Sequence, residues 1–224
     1  MIERVAELIP QSVRSSSGAV FFSGRTAFGE RAPLYVLGLN PGGDDSKRSF
    51  MTVEQHTQQV LDRPQVDWSA YRDERWGPRA ARPGTYGLQP RILHVLRRVG
   101  LNPGRVPSSN LIFTRTRDQR ELGGGFELLA EECWPFHGSV VRELGVKVIL
   151  CFGRRAGDWV ANRLGAHREV GRFIETNDRH WPTVAMENGA GQVVVIATHP
   201  TRANWQNPKS DPTPLIEQFL PRTP

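Results

Sequence analysis

The chain of 224 residues fits one domain of ordinary size, and its 38% apolar residues and 22 glycines suffice for a sizeable core, which excludes a disordered or fibrous protein. No stretch approaches the roughly 18 apolar residues of a membrane-spanning helix. Lys plus Arg number 29 against 23 Asp plus Glu, a net charge of +6. Residues 1–10 read as a short helix, with a Ser/Gly-rich loop at 12–18. Leu34 to Leu39 is an unbroken apolar run, the mark of a strand buried on both faces. A helix is expected at about 52–62. Residues 63–86, rich in Arg, Trp, Pro and Gly, read as a long irregular loop or insertion. Leu88, Ile92, Leu93, Val95, Leu96 and Val99 recur at helical spacing over 88–99, and a strand is expected at 109–114. A helix bent at Pro135 should cover 126–144, a second fully buried strand 146–152, and a helix opened by Gly153 should run to about Leu164. Residues 168–188 suggest one or two short strands or a hairpin. Val193 to Thr198 is the last core strand, and Pro214 to Leu220 a final short helix. Strand–helix–strand alternation predicts an α/β fold with a mostly parallel sheet, in a single domain spanning 1–224.

The first 30 residues mix Glu3, Arg4, Glu7 and Arg14 into the apolar positions and do not read as a signal peptide. Two cysteines, Cys133 and Cys151, cannot build a disulfide framework, so the expected compartment is the cytoplasm. Only three lysines are present, and twelve arginines against four acids fall between Arg63 and Arg120. Arginine forks match phosphate oxygens, so a nucleic-acid partner fits this excess; an Arg-rich solvated surface fits it too.

Two loops stand out because each follows a buried strand. One is Gly38-Leu39-Asn40-Pro41-Gly42-Gly43-Asp44; the other is Thr198-His199-Pro200-Thr201-Arg202-Ala203-Asn204-Trp205. In an open parallel sheet, ligands bind beyond the carboxyl ends of the strands, so both loops can meet in one crevice. Taken singly, Asn-Pro-Gly is an ordinary turn and His-Pro an ordinary strand end. Ser109-Asn110 adds a third polar position on a strand.

Together these residues resemble the uracil-DNA glycosylase superfamily. Gly38-Leu39-Asn40-Pro41-Gly42 is similar to its first motif, in the Asn-Pro-Gly form of the mismatch-specific and single-strand-selective branches. His199-Pro200-Thr201 is similar to its His-Pro-Ser/Thr motif, Ser109-Asn110-Leu111 stands at the place of the strand Asn that reads the base edge, and Gly153 follows the third strand as Gly commonly does there. The resemblance covers about residues 34–205. It implies a three-layer α/β/α fold around a central, mostly parallel four-stranded sheet, and a monomer that acts on single- or double-stranded DNA in base excision and repair, or in defence against modified DNA.

That resemblance also assigns roles. Such an enzyme extrudes its target nucleotide into a pocket. Asn40 would position water beneath the sugar C1′, and His199 would donate a hydrogen bond to the pyrimidine O2 as charge collects on the leaving base. Asn110 would pair with the pyrimidine edge. Phe50 is the candidate for stacking on the base, with an ordinary core aromatic as the alternative. Gly42 stands where the most uracil-restricted branch has Tyr, which leaves space beside C5. Arg202 or Trp205 would fill the hole left by the flipped base, and Arg115 and Arg117 lie where they can meet phosphate. The stretch Trp68, Tyr71, Arg72, Arg75, Trp76, Arg79 and Arg82 either tracks a nucleic-acid backbone or packs as a lid.

Asp44 and Asp45 depart from the pattern and fit a turn or helix cap, or an auxiliary base. Two cysteines cannot hold an iron–sulfur cluster, and Cys133-x3-His137 lacks the second ligand pair of a zinc site. No Lys stands in either motif to form a Schiff base. The expectation is therefore a monofunctional DNA glycosylase that needs no metal and no organic cofactor. The rival readings are a nucleic-acid-binding module without turnover and a hydrolase of free nucleotides, which the basic stretch disfavours.

Overall fold

The computed structural model describes residues 1–43, 51–77, 82–118 and 120–221. In chain order its regular elements are helix α1 (Ile2–Glu7), strand β1 (Leu34–Gly38), helices α2 (Val53–Leu61), α3 (Ala70–Asp73) and α4 (Gln89–Arg98), strand β2 (Ser108–Asn110), helix α5 (Phe126–Glu143), strand β3 (Val148–Phe152), helix α6 (Arg154–Leu164), strands β4 (Arg168–Ile174), β5 (Pro182–Glu187) and β6 (Val193–Ala197), and helix α7 (Thr213–Glu217). The fold is α/β, with a six-stranded sheet in the order β2-β1-β3-β6-β5-β4.

The apolar runs explain the middle of that sheet. Every residue of β1, β3 and β6 is buried, because both faces are covered and neither has to be polar. Tyr35, Leu37, Ile149, Cys151, Val194 and Ile196 face α1, α2, α5 and α6, whereas Leu34, Val36, Val148, Leu150, Val193 and Val195 face α4 and α7. β2, β1, β3 and β6 run parallel. β5 pairs antiparallel with β6, and β4 antiparallel with β5.

The sheet is therefore larger and more mixed than the four-stranded one expected. The segment read as short strands or a hairpin is a hairpin, and it extends the sheet beyond β6 instead of standing apart. β4 is the outer edge, and its residues are exposed or half-buried, which is why no clean apolar pattern marks it. β2 is also shorter than the strand expected at 109–114. After Asn110 the chain is no longer regular strand but still follows the end of β1, with Leu111 N–H donating to the Gly38 carbonyl and Ile112 N–H to the Leu39 carbonyl.

Within the stretch 63–86, residues 68–71 are buried and the segment 63–74 packs against the fold. Trp68 and Tyr71 are buried, and the Arg63 guanidinium lies 4.3 Å over the Trp68 ring and pairs with Glu74. Arg72 bonds Asp73 and the Asp67 carbonyl, and the Gln89 amide ties Ala70 and Glu74 to α4 at 2.8 Å each. Two of the arginines counted toward a phosphate-binding patch are thus used inside the segment. Arg79 lies outside the described residues.

Cys133 and His137 both lie in the core on α5. The Leu111 carbonyl accepts from His137 Nε2 at 3.0 Å, so Nδ1 is the acceptor for the Tyr35 hydroxyl at 2.7 Å. Both ring nitrogens are engaged within the fold. Burial pushes the His137 pKa down from 6.5 to about 3, and burial first of all pushes His56 and His199 down to about 4. Between those values and 6.5 the unfolded chain binds more protons than the folded one, so stability falls as pH falls through that window. For His137 alone the loss is about 2 kcal/mol between pH 7 and pH 5. The urea midpoint should accordingly be lower at pH 5 than at pH 7; equal midpoints would contradict the buried neutral imidazole.

Candidate active site

β1 lies between β2 and β3, and the chain goes from β1 to β2 on one side and from β3 towards β6 on the other. The crevice of such a sheet opens at the carboxyl ends near β1 and β3. A cleft of about 930 Å³ occupies this place, lined among others by Asn40, Gly42, Asn110, Phe152, Gly153 and His199.

Register brings the first two polar groups together. Gly38 is the Cα partner of Asn110 in the β1–β2 ladder. A Cβ at position 38 would lie 2.0 Å from Asn110 Oδ1, so only glycine lets the Asn110 side chain lie across the end of β1. Asn110 is 8% exposed and contributes to the cleft wall.

Asn40 follows β1 and is half-buried. Its Nδ2 donates to the Thr116 hydroxyl at 2.8 Å, the Pro41 carbonyl at 3.2 Å and the Thr114 carbonyl at 3.3 Å. Carbonyl oxygens only accept, so the atom facing them is the amide nitrogen, and Oδ1 is the end left for a ligand. The Thr116 hydroxyl in turn donates a hydrogen bond to the Asp118 carbonyl at 2.9 Å. It also holds the loop through a bridge with Gly42. Arg115 supports the same loop by bonding the Gly42 carbonyl.

His199 follows β6 and is half-buried. The Thr201 backbone N–H donates to its Nδ1 at 3.2 Å, and the Thr201 hydroxyl lies 2.8 Å from the same atom. An amide N–H can only donate, so Nδ1 is unprotonated and the neutral ring carries its hydrogen on Nε2. Burial, then the charges of Arg202 and Arg91, push its pKa down to about 4. The ring is therefore neutral at neutral pH, a hydrogen-bond donor without a full charge. Arg91 also bonds the Pro200 carbonyl, fixing the turn that carries the histidine.

Asn40, Gly42, Asn110, Arg117, His199 and Arg202 are brought to this one cleft. Phe50, Asp44 and Asp45 lie outside the described residues. Trp205 is not a wedge: it is 1% exposed, its indole N–H donates to the Thr198 carbonyl at 3.1 Å, and it packs edge-on to Phe152. Its role is to anchor the loop from inside, whereas Arg202 is exposed at the rim. Arg115 is placed behind the Gly42 loop and is not among the cleft-lining residues.

Sequence reasoning passed over Thr116, which nothing in Phe113-Thr114-Arg115-Thr116 distinguishes. It also passed over two aromatic residues of the cleft wall, Phe22 and Phe152. Phe22 and Phe152 line the cleft along with Tyr71 and Trp76, and Phe22 stacks on Tyr71 at 6.0 Å and meets Trp76 edge-on at 6.1 Å. Phe152 contacts His199 edge-on at 6.0 Å. Its position next to Gly153, at the carboxyl end of a buried strand, is the one signal that could have marked it. Among the described residues no group of three His, Cys, Asp or Glu is placed to hold a metal ion, and no helix is long and apolar enough to cross a membrane. No protein-family model matches the chain, and no curated protein matches it in sequence.

Proposed function

We propose that this protein is a monofunctional DNA glycosylase that hydrolyses the N-glycosidic bond of a flipped uracil or C5-modified pyrimidine. The observation that carries the reading is the convergence in one cleft of an oriented amide oxygen on Asn40, the Asn110 amide and a neutral His199 whose proton sits on Nε2. On this reading Asn40 Oδ1 accepts a hydrogen bond from water and aims its oxygen at C1′. The water oxygen bonds C1′ as the glycosidic bond breaks, the bonding pair leaves with the base, and the water's proton ends on the base. His199 Nε2–H meets O2 where negative charge develops. Asn110 presents both a donor and an acceptor to the pyrimidine edge. The aromatic walls exclude water and give the base a surface on which to stack.

Single-stranded and duplex oligonucleotides carrying one uracil or one C5-substituted pyrimidine, treated with alkali after incubation, test the reading. Strand scission at that base is expected. Binding without scission would instead favour a nucleic-acid-binding module on the same fold.

The substrate range turns on Gly42. Among the described residues a Cβ there meets nothing within 4 Å, and the positive φ of this loop belongs to Gly43, at 120°, not to Gly42. A side chain at 42 is thus admitted without backbone strain and would take up open space. At least one C5-substituted pyrimidine should be cleaved within roughly tenfold of the rate on uracil, a barrier difference of about 1.4 kcal/mol or less. Gly42→Tyr should fold normally and shift the preference towards plain uracil. A wild type that rejects every C5-substituted base tested would show that another residue closes the pocket.

A further inference from the structure

The β4–β5 hairpin lies outside the four parallel strands that deliver Asn40, Asn110 and His199, yet its turn reaches the same cleft. Trp181 and Pro182 form part of the cleft wall. The turn is tied down at several points. Glu175 N–H donates to the Trp181 carbonyl at 3.0 Å, and Thr176 N–H to the Lys209 carbonyl at 2.9 Å. The buried Glu175 carboxylate accepts from Asn177 Nδ2 at 2.7 Å, and Asn177 Oδ1 accepts from Arg179 N–H at 2.9 Å. Arg179 bonds the backbone carbonyl of Arg202, in the turn that carries His199. His180 is held in the left-handed region at φ 50°, the one described non-glycine residue with positive φ, a conformation kept only where surrounding contacts over-determine it.

What this turn presents is an aromatic ring among cations. The Arg179 guanidinium lies 4.9 Å over the Trp181 ring, and Arg179, His180 and Arg202 are exposed while Trp181 is half-buried at the mouth. Guanidinium groups match phosphate oxygens, and an indole offers a stacking face to any base. Arg179, His180 and Arg202 take no part in the core.

We propose that the turn of the β4–β5 hairpin is a second nucleic-acid contact, in which Trp181 stacks a base next to the target nucleotide and Arg179 and Arg202 take the adjoining phosphates. The proposal rests on reading the cleft as the base pocket only for its geometry; DNA binding at this rim needs no chemistry in the cleft.

Binding of a fluorescent oligonucleotide without any modified base, single-stranded and duplex, separates the two. Trp181→Ala should weaken binding of at least one of them by about five- to 150-fold, the span expected for loss of one stacked base. Trp181→Phe should restore most of the loss, because a ring remains. Arg179→Ala should shallow the dependence of log affinity on log salt by close to one contact. Arg142→Ala, on α5 near the amino ends of the strands, should bind as wild type does. Should Trp181→Ala fail to fold, the comparison of Trp181→Phe with Trp181→Leu decides between a stacking ring and mere bulk. Equal affinity of the Phe, Leu and wild-type proteins, a Trp181→Ala protein binding within twofold of wild type, or no binding of either oligonucleotide by wild type each overturns the proposal. An inactive protein that still shows the Trp181 effect would overturn the glycosylase reading alone.

Discussion

Asn40→Ala is expected to lower the rate of base excision by at least about two orders of magnitude, the cost of no longer positioning one reactant, while DNA affinity stays near that of wild type. The reason lies in the way the amide is held. Its nitrogen is committed to Thr116, Thr114 and Pro41, which orients the side chain and, among the described residues, leaves Oδ1 as the end offered to a ligand. An amide is too weak a base to deprotonate water ahead of attack; what it supplies is direction, and alanine supplies none. Thr116→Val tests the same geometry one step back. It removes the shortest of the three bonds to Nδ2 but leaves both carbonyls, so the expected loss is smaller, roughly three- to tenfold for one neutral hydrogen bond. Asn40→Asp should not rescue activity, because a carboxylate oxygen in place of Nδ2 would face the Thr114 and Pro41 carbonyls with no hydrogen to share. Single-turnover rates for the three variants, beside their affinities for the same oligonucleotide, check this. Wild-type turnover by Asn40→Ala would remove Asn40 from the reaction, and a change confined to affinity would make it a binding residue only.

The contrast between Asn40 and Thr116 also shows what a sequence exposes and what it hides. Asn40 and His199 were legible because each directly follows an apolar run buried on both faces, and such runs need no partner to be recognised. β1, β3 and β6 were readable for that reason. Asn110 was readable as a polar residue on a strand, but its alignment with Gly38, and the need for glycine there, come from a register between segments far apart in the chain. Thr116 acquires its role from a contact 76 residues away, and no local pattern encodes it. The hairpin was seen as a possibility and not as part of the sheet, because an edge strand with half-exposed residues carries little apolar periodicity. Trp205 misled for the opposite reason. A tryptophan in a basic loop is equally at home as a surface wedge or an interior anchor, and only its bond to Thr198 and its contact with Phe152 decide for the interior. Likewise the arginine count over 63–120 could not show that Arg63 and Arg72 are paired with carboxylates inside the segment.

His199→Ala is expected to cost about 2.7–4 kcal/mol of transition-state stabilisation, the loss measured when a single donor to a developing oxyanion is removed, which is roughly a hundred- to a thousandfold in rate. The tautomer makes the donor specific. With Nδ1 accepting from the Thr201 N–H, the ring has one hydrogen to give, and it lies on Nε2. Thr201→Val keeps that backbone N–H and removes only the hydroxyl, so it should cost less than about tenfold, as expected for one neutral hydrogen bond. Acid should act through the same atom. Protonation of Nδ1 would set an N–H against the Thr201 N–H and disturb the loop, and with a pKa of about 4 this happens only well below neutrality. The rate should therefore be insensitive to this group from pH 8 down to about pH 5.5 and fall as pH drops towards 4. After burial, the charge of Arg202 is the largest cause of the depressed pKa. Arg202→Ala should accordingly raise the His199 pKa and move the acid limb of the profile to higher pH. The imidazole resonances of His199, followed by NMR against pH in wild type and Arg202→Ala, give that shift independently of any assay. An unchanged pKa in Arg202→Ala would show that Arg202 does not contribute, leaving burial and Arg91 to set it. A His199→Ala protein that loses affinity but keeps its single-turnover rate would place the histidine in ground-state binding and leave the charge on the departing base to another donor.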